Sequence, residues 1–291
     1  NDQAEDLARA AWRDELRKLA ENPMLLTTMA IIHQKETRLP DQRVKLYSEA
    51  VRILIERWQK HRFGDALAVS EELAAVLKNE RRVRKLLERL AYEAHRVGKE
   101  NGKEKQADLQ RFEAIRILEQ NIFLGEMELA RQFLDYVDLR SGLLVGRGGE
   151  PGKPSTYSFA HRTFQEYLAG CYLVNQRNAV RELLDHAEEP EYWSLAVEFG
   201  SEEILFNGRT ESQNDVLDLA YGLLANTCKT TPKRRAALWS AKMAALVGAD
   251  VVREDEVKDG ATYLEHLLKT TVWLLESDLT PVERADAGRA L

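Results

Sequence analysis

The chain has 291 residues, 44% of them hydrophobic and 31% charged, with a net charge of −6. That length holds two or three packed units of ordinary size, and the acidic balance excludes a general attraction to nucleic acid or to an anionic membrane surface. Two cysteines are too few for a disulfide scaffold, and the densest apolar run, Met24 to Ile32, is too short to cross a bilayer; a reducing, cytoplasmic setting is expected.

Residues Asp6 to Ala20 carry Leu7, Ala11, Leu16, Leu19 and Ala20 on one stripe and read as an amphipathic helix. Asn22 and Pro23 end it and start another, asparagine as N-cap and proline at the first helical position. This second helix, Pro23 to about Lys35, is apolar nearly all round and is expected to be buried on most sides. Leu39-Pro40-Asp41 restarts the chain, and Val44, Tyr47, Val51, Leu54, Ile55 and Trp58 mark a long helix to about Arg62.

A connector from Arg62 to Ser70 precedes a short helix through Leu73, Val76 and Leu77. Arg81 to Val97 is strongly periodic, and its basic outer face is interspersed with Glu88 and Glu93, the pattern of a solvated face. Gly98 to Lys105 reads as a polar loop. Helices follow around Phe112 to Glu119 and from Glu126 to Leu139. Leu143 to Val145 and Thr156 to Phe159 are strand-like, and the Gly/Pro run between them makes a hairpin tip. Helices followed by such a hairpin have the layout of a winged helix, with one more helix after the wing.

That helix opens in YSFAHRTFQEYLAGCYLV, residues 157 to 174, where an alternating strand turns directly into a helix bearing Phe164, Tyr167, Leu168, Cys171 and Val174 on one face. His161 stands on its first turn. A helix N-terminus favours an anion, and a neutral imidazole there can donate a hydrogen bond to one. Spacing alone points rather to a histidine that bonds a carbonyl and packs under the strand, so both uses stay open. From Ala179 the pattern is helical to the end: 180–186, 191–206, 214–226, 232–247, 262–277 and 281–291. Both cysteines, Cys171 and Cys228, fall in apolar helical patterns. Thr280, Pro281 and Glu283 give the last helix a capping box. Helix pairs in series have the form of an α-solenoid, without a fixed repeat length.

The expected fold is mainly α: a small helical domain at 1–66, a winged-helix domain with a β-hairpin wing at 67–178, and a second, solenoid-like helical domain at 179–291. The tip GRGGEPGKPST fails as a phosphate loop, because Arg147 replaces the first glycine and Pro154 the hydroxyl residue. The six histidines show no metal-ligand spacing, no G-x-S-x-G elbow is present, and no catalytic residue is assigned. The presumed recognition helix carries Glu126, Glu128, Asp135 and Asp138 against Arg131 and Arg140, where a groove reader needs a basic face.

Three stretches together, ENPMLLTTMAIIH (21–33), LPDQRVKLYSEAVRILIERW (39–58) and FAHRTFQEYLAGCYL (159–173), resemble the NACHT family of signal-transduction NTPases, the group that includes bacterial and animal innate-immune sensors. The resemblance covers the first 175 residues or so. It implies the part that follows the nucleotide-binding core, with the core motifs lying before Asn1; the first residue, which is not methionine, and the uncapped last helical pattern lead separately to the expectation of a fragment cut at both ends. The cofactors implied are ADP and ATP, with Mg in the parent protein; Pro23 would lie against the adenine and His161 would reach the β-phosphate of ADP. The implied partners are the NTPase core of the same protein, further copies on activation, and a protein trigger or effector, with neither nucleic acid nor membrane favoured. A role in bacterial antiviral defence is an expectation from the resemblance alone. The tail LTPVERADAGRAL also resembles a helix that precedes a formylglycine-generating-enzyme-like domain. The alternative from another class is a non-enzymatic helical adaptor binding protein partners, and a winged-helix DNA-binding regulator comes third.

Overall fold

A computed structural model of the chain describes residues 23–36, 39–60, 69–100, 108–150, 152–189, 191–208 and 212–291. The helix expected at Asp6 to Ala20, the N-cap at Asn22 and most of the 62–70 connector lie outside these residues. By packing, the chain divides into two compact units, Asn1–Gln165 and Glu166–Leu291. The finer partition at residues 66 and 178 is not addressed by that grouping.

In the first unit, α1 (Pro23–Glu36) and α2 (Arg43–Lys60) share a core of Met29, Ile32, Leu39, Leu46 and Ile53. The expectation that α1 is buried on most sides is corrected: Leu26 is 41% exposed and Ala30 is exposed too. Among the described residues its Met29–Ile32 side alone packs into that core. The second helix is apolar on two faces. Leu46 and Ile53 meet α1, while Val44, Tyr47, Val51 and Ile55 are buried on the other.

The short α3 (Glu71–Lys78) is capped by Ser70, whose Oγ accepts from the Leu73 N–H at 3.2 Å. The same hydroxyl donates to Gln132 Oε1 at 2.8 Å and so ties the cap to a later helix. In α4 (Glu80–Glu100) the buried stripe is Val83, Leu86, Leu87, Leu90, Ala91 and Ala94. The loop expected from Gly98 is corrected, since the helix continues through that glycine to Glu100. Several of its basic residues are occupied within the unit. Arg84 bonds Glu88 at 2.8 Å and Ser48 at 2.9 Å, Arg89 pairs with Glu93 at 2.6 Å, and Arg82 donates to the Phe123 carbonyl at 3.0 Å.

The chain then forms β1 (Leu109–Gln110), α5 (Arg111–Leu118), α6 (Met127–Ser141), β2 (Leu144–Arg147) and β3 (Thr156–Phe159). The sheet order is β1-β3-β2, all antiparallel, with Leu109 opposite Tyr157 and Leu144 opposite Phe159. The two-residue β1 is too short to leave a period in the sequence. It nonetheless completes a helix–strand–helix–helix–hairpin order, which is that of a winged helix.

The division between the units falls inside α7 (Arg162–Val174), in which every residue from Phe164 to Cys171 is buried. The second unit continues with α8 (Ala179–His186), α9 (Ser194–Asn207), α10 (Ser212–Leu223), α11 (Thr231–Val247), α12 (Ala249–Arg253), α13 (Gly260–Leu274) and α14 (Pro281–Arg289). Three details differ from expectation. Helix α9 begins only at Ser194, because Trp193 before it is buried and stacks on His186 at 3.8 Å. The five-residue α12 has no signature of its own, and Cys228 lies in the connector between α10 and α11.

Two glycines set the approach of α9 to α7. A Cβ on Gly170 would collide with the Ala196 carbonyl, and one on Gly200 would meet Val174 Cγ1 at 2.6 Å and the Gly170 carbonyl at 2.7 Å. The last helix is anchored from both ends of its first turn. Thr280 and Glu283 form the expected capping box, and Glu283 pairs with Arg235 of α11, both side chains 4% exposed. Arg235 also donates to the Ala187 carbonyl.

Candidate functional site

The β3–α7 turn takes its shape from the central strand of the sheet. After Phe159 the Ala160 N–H still bonds the Leu143 carbonyl at 2.8 Å, so the strand is held up to the residue before His161. The His161 carbonyl then accepts from Phe164 N–H at 3.1 Å and Gln165 N–H at 3.4 Å. His161 is therefore at the N-cap position, one residue before the helix and not on its first turn. Its side chain is half-buried. Phe164 is fully buried and meets the ring of Tyr47 edge-on at 5.1 Å, which pins the helix start against α2.

Two polar side chains beside this turn are buried without a hydrogen-bond partner among the described residues: Ser158 Oγ on β3 and Gln165 Oε1 on α7. Ser158 is 0% and Gln165 1% exposed. A buried acceptor left unpaired costs about 1–3 kcal/mol, so such groups call for a reason. The sequence hides both. Alternation assigns Ser158 to one face of β3 without saying that this face is covered, and helical periodicity turns a glutamine between Phe164 and Tyr167 toward solvent.

The second residue singled out by sequence, Pro23, opens α1. The surroundings of its side chain lie outside the described residues, so the structure neither joins it to His161 nor separates it. The glycine-rich tip is a hairpin turn: Gly148, Gly149 and Gly152 have φ of 62°, 77° and 75°, and Glu150 bridges Lys153. A phosphate loop joins a strand to a helix, whereas this segment joins two antiparallel strands.

Two aspartates of α6 are employed in holding the wing. Asp135 pairs with Arg111 at 2.7 Å, Tyr157 donates to Asp135 at 3.3 Å, and Arg111 donates to the Tyr157 hydroxyl. Burial pushes the Tyr157 phenol well above its usual range, with Arg111 opposing and Asp135 adding to the shift. The hydrogen bond to Asp135 raises the Arg111 pKa, keeping that guanidinium charged. Asp138 accepts from Gly146 N–H at 2.6 Å, and a Cβ at Gly146 would meet Pro154 at 2.6 Å. Among the described side chains, the outward residues of α6, Met127, Glu128, Arg131 and Leu139, make no cationic face for a DNA groove.

Residues 43–173 match the family model of the winged helix-turn-helix domain C-terminal to NACHT. This segment is a NACHT-associated winged helix. The matched span runs from the start of α2 to the penultimate residue of α7, so the N-cap histidine and both orphaned oxygens lie inside the winged helix as the family delimits it. No curated protein matches the chain. The domain's place C-terminal to NACHT points to the NTPase core of the same protein as its partner. Among the described residues no helix is long and apolar enough to cross a membrane.

Proposed function

We propose that this chain is the regulatory helical and winged-helix portion of a NACHT-type switch, in which ADP bound to the core holds these units closed and exchange for ATP releases them for oligomerisation and signalling. The observation that carries the reading is His161 at the N-cap of the thirteen-residue α7, inside the segment that matches the NACHT-associated winged helix. The turn fits one end of a diphosphate. A helix N-terminus concentrates partial positive charge and unpaired N–H groups, and a half-exposed imidazole adds a side-chain donor. The edge-on Phe164–Tyr47 pair holds this end of α7 in place, so the donor needs little reordering to meet an anion.

The nucleotide, when bound, would supply a polyanion whose β-phosphate engages His161 in one state of the switch and not in the other. The main phosphate cradle and the metal site belong to the NTPase core in this reading, and Pro23 at the start of α1 would face the adenine. Bacterial antiviral defence is the setting this mechanism would serve.

The test is to purify the full-length protein, denature it, and identify the released nucleotide for wild type and His161→Ala. Bound ADP in wild type, with loss or replacement by ATP in the variant, is the expected outcome. An absence of nucleotide from both proteins would leave a helical adaptor as the better reading.

A further inference from the structure

The proposed switch leaves Gln165 without a task, although it is a buried polar side chain in the first turn of the helix that His161 caps. Its backbone N–H bonds the His161 carbonyl at 3.4 Å, so Gln165 lies one helical turn along α7 from the N-cap histidine. Gln165 is 1% exposed and its Oε1 has no partner among the described residues. An amide oxygen is an acceptor only. It cannot serve a phosphate directly, since both groups accept, but it can serve a ring N–H.

An imidazole has two nitrogens, and the hydrogen bond made by one decides what the other can do. If one N–H of His161 donates to the diphosphate, the second nitrogen is left for an acceptor on the adjoining turn of α7, which carries Gln165. We infer that Gln165 is a positioning residue for His161: its carboxamide oxygen accepts the hydrogen of the ring nitrogen that the phosphate does not use. The ring then donates from both nitrogens, which fixes its rotation and matches it to an anion. The orphaned oxygen is thus a half-made hydrogen bond that is completed when the histidine turns onto the nucleotide. Ser158, on the preceding strand, has a hydroxyl that can accept as well as donate and so singles out no one donor; it carries no part of this inference.

This inference rests on the proposed contact between His161 and the diphosphate, and the experiment separates the two. In the full-length protein loaded with a fluorescent ADP analogue, release rates would be measured for wild type, His161→Ala, Gln165→Met, Gln165→Glu and the double variant His161→Ala/Gln165→Met. Methionine keeps the length and burial of the side chain without the acceptor; glutamate restores an acceptor. Hydrogen bonds involving a charged group are stronger than neutral ones, so Gln165→Met is expected to release the analogue about tenfold faster or more, with Gln165→Glu recovering much of the loss. The effect of Gln165→Met should vanish in the His161→Ala background, while thermal stability of the nucleotide-free protein stays within a few degrees of wild type.

Unchanged release in His161→Ala overturns the parent reading and this inference with it, as does failure of the wild type to bind the analogue. Faster release in His161→Ala but not in Gln165→Met overturns the positioning role alone. An equal effect of Gln165→Met with and without His161 assigns the orphaned oxygen to packing or a buried water, and overturns it too.

Discussion

A single residue can hold an element by what it would leave behind if its partner were lost. Arg235 and Glu283 are both buried, and each answers the charge of the other between α11 and α14. Removing one member leaves an uncompensated charge in the interior, which typically costs about 3–5 kcal/mol. Glu283→Ala should therefore lower the denaturant midpoint of the second unit steeply, more than loss of the cap alone would explain. The paired replacement Arg235→Met/Glu283→Leu should recover most of that loss. A Glu283→Ala effect under about 1 kcal/mol would mean that the pair is far better hydrated than its burial indicates. The sequence announces only half of this residue. Thr280, Pro281 and Glu283 are legible as a capping box, but nothing in the local pattern says that the same glutamate reaches an arginine 48 positions earlier.

At the scale of elements, the long helices were the most legible because each needs several turns of apolar spacing to bury a face. The apolar spacings in α2, α4, α6 and α7 place those helices to within about three residues of their observed ends. Elements of two and five residues, β1 and α12, carry no measurable period and owe their existence to neighbours: β1 to the open edge of β3, α12 to the turn between α11 and α13. The crossing of α7 and α9 was equally hidden, since a glycine in a helix reads as a weakness until its neighbour is known. Gly170→Ala should destabilise the second unit by about 1–3 kcal/mol through backbone collision, whereas the same change at the open Gly152 tip should alter only the strain of its positive φ. Urea titrations of the two variants would separate these cases. Equal, small effects would show that α9 can back away from α7 at no cost. For the candidate site, the motif around His161 was readable, while the burial of Gln165 was not, because the covering of a polar face is a tertiary fact.

On the scale of the whole molecule, ionisation is unevenly distributed. Among the described residues, the aspartates held below their usual range are all in the second unit. Asp255 is lowered by the Tyr221 hydroxyl and Asp278 by Thr231 and Arg234. At Asp286 burial pushes the carboxyl up, but Lys242 and Arg289 outweigh it. A carboxyl whose folded pKa is depressed contributes stability above its unfolded value of about 3.9, and that contribution disappears as pH falls from there through the folded value. The second unit should accordingly weaken on acidification below about pH 4, with Asp286→Asn less acid-sensitive than wild type. Hydrogen exchange read separately for the two units at pH 7 and pH 3.5 would check this. Equal loss of protection in both units would point instead to general charge repulsion.

The three-stranded sheet of the winged helix also bears on how the molecule behaves in a crowd. Its two outer strands are β1, with two residues, and β2, with four, the latter carrying Gly146 and ending at Arg147. An exposed strand edge is a template on which another chain can add itself, and the hazard grows with its length and flatness. Here one edge is too short to guide a register, and the other includes a glycine, fixed by Asp138, and a terminal cation. Neither edge thus offers strangers a long, flat template for a growing cross-β stack.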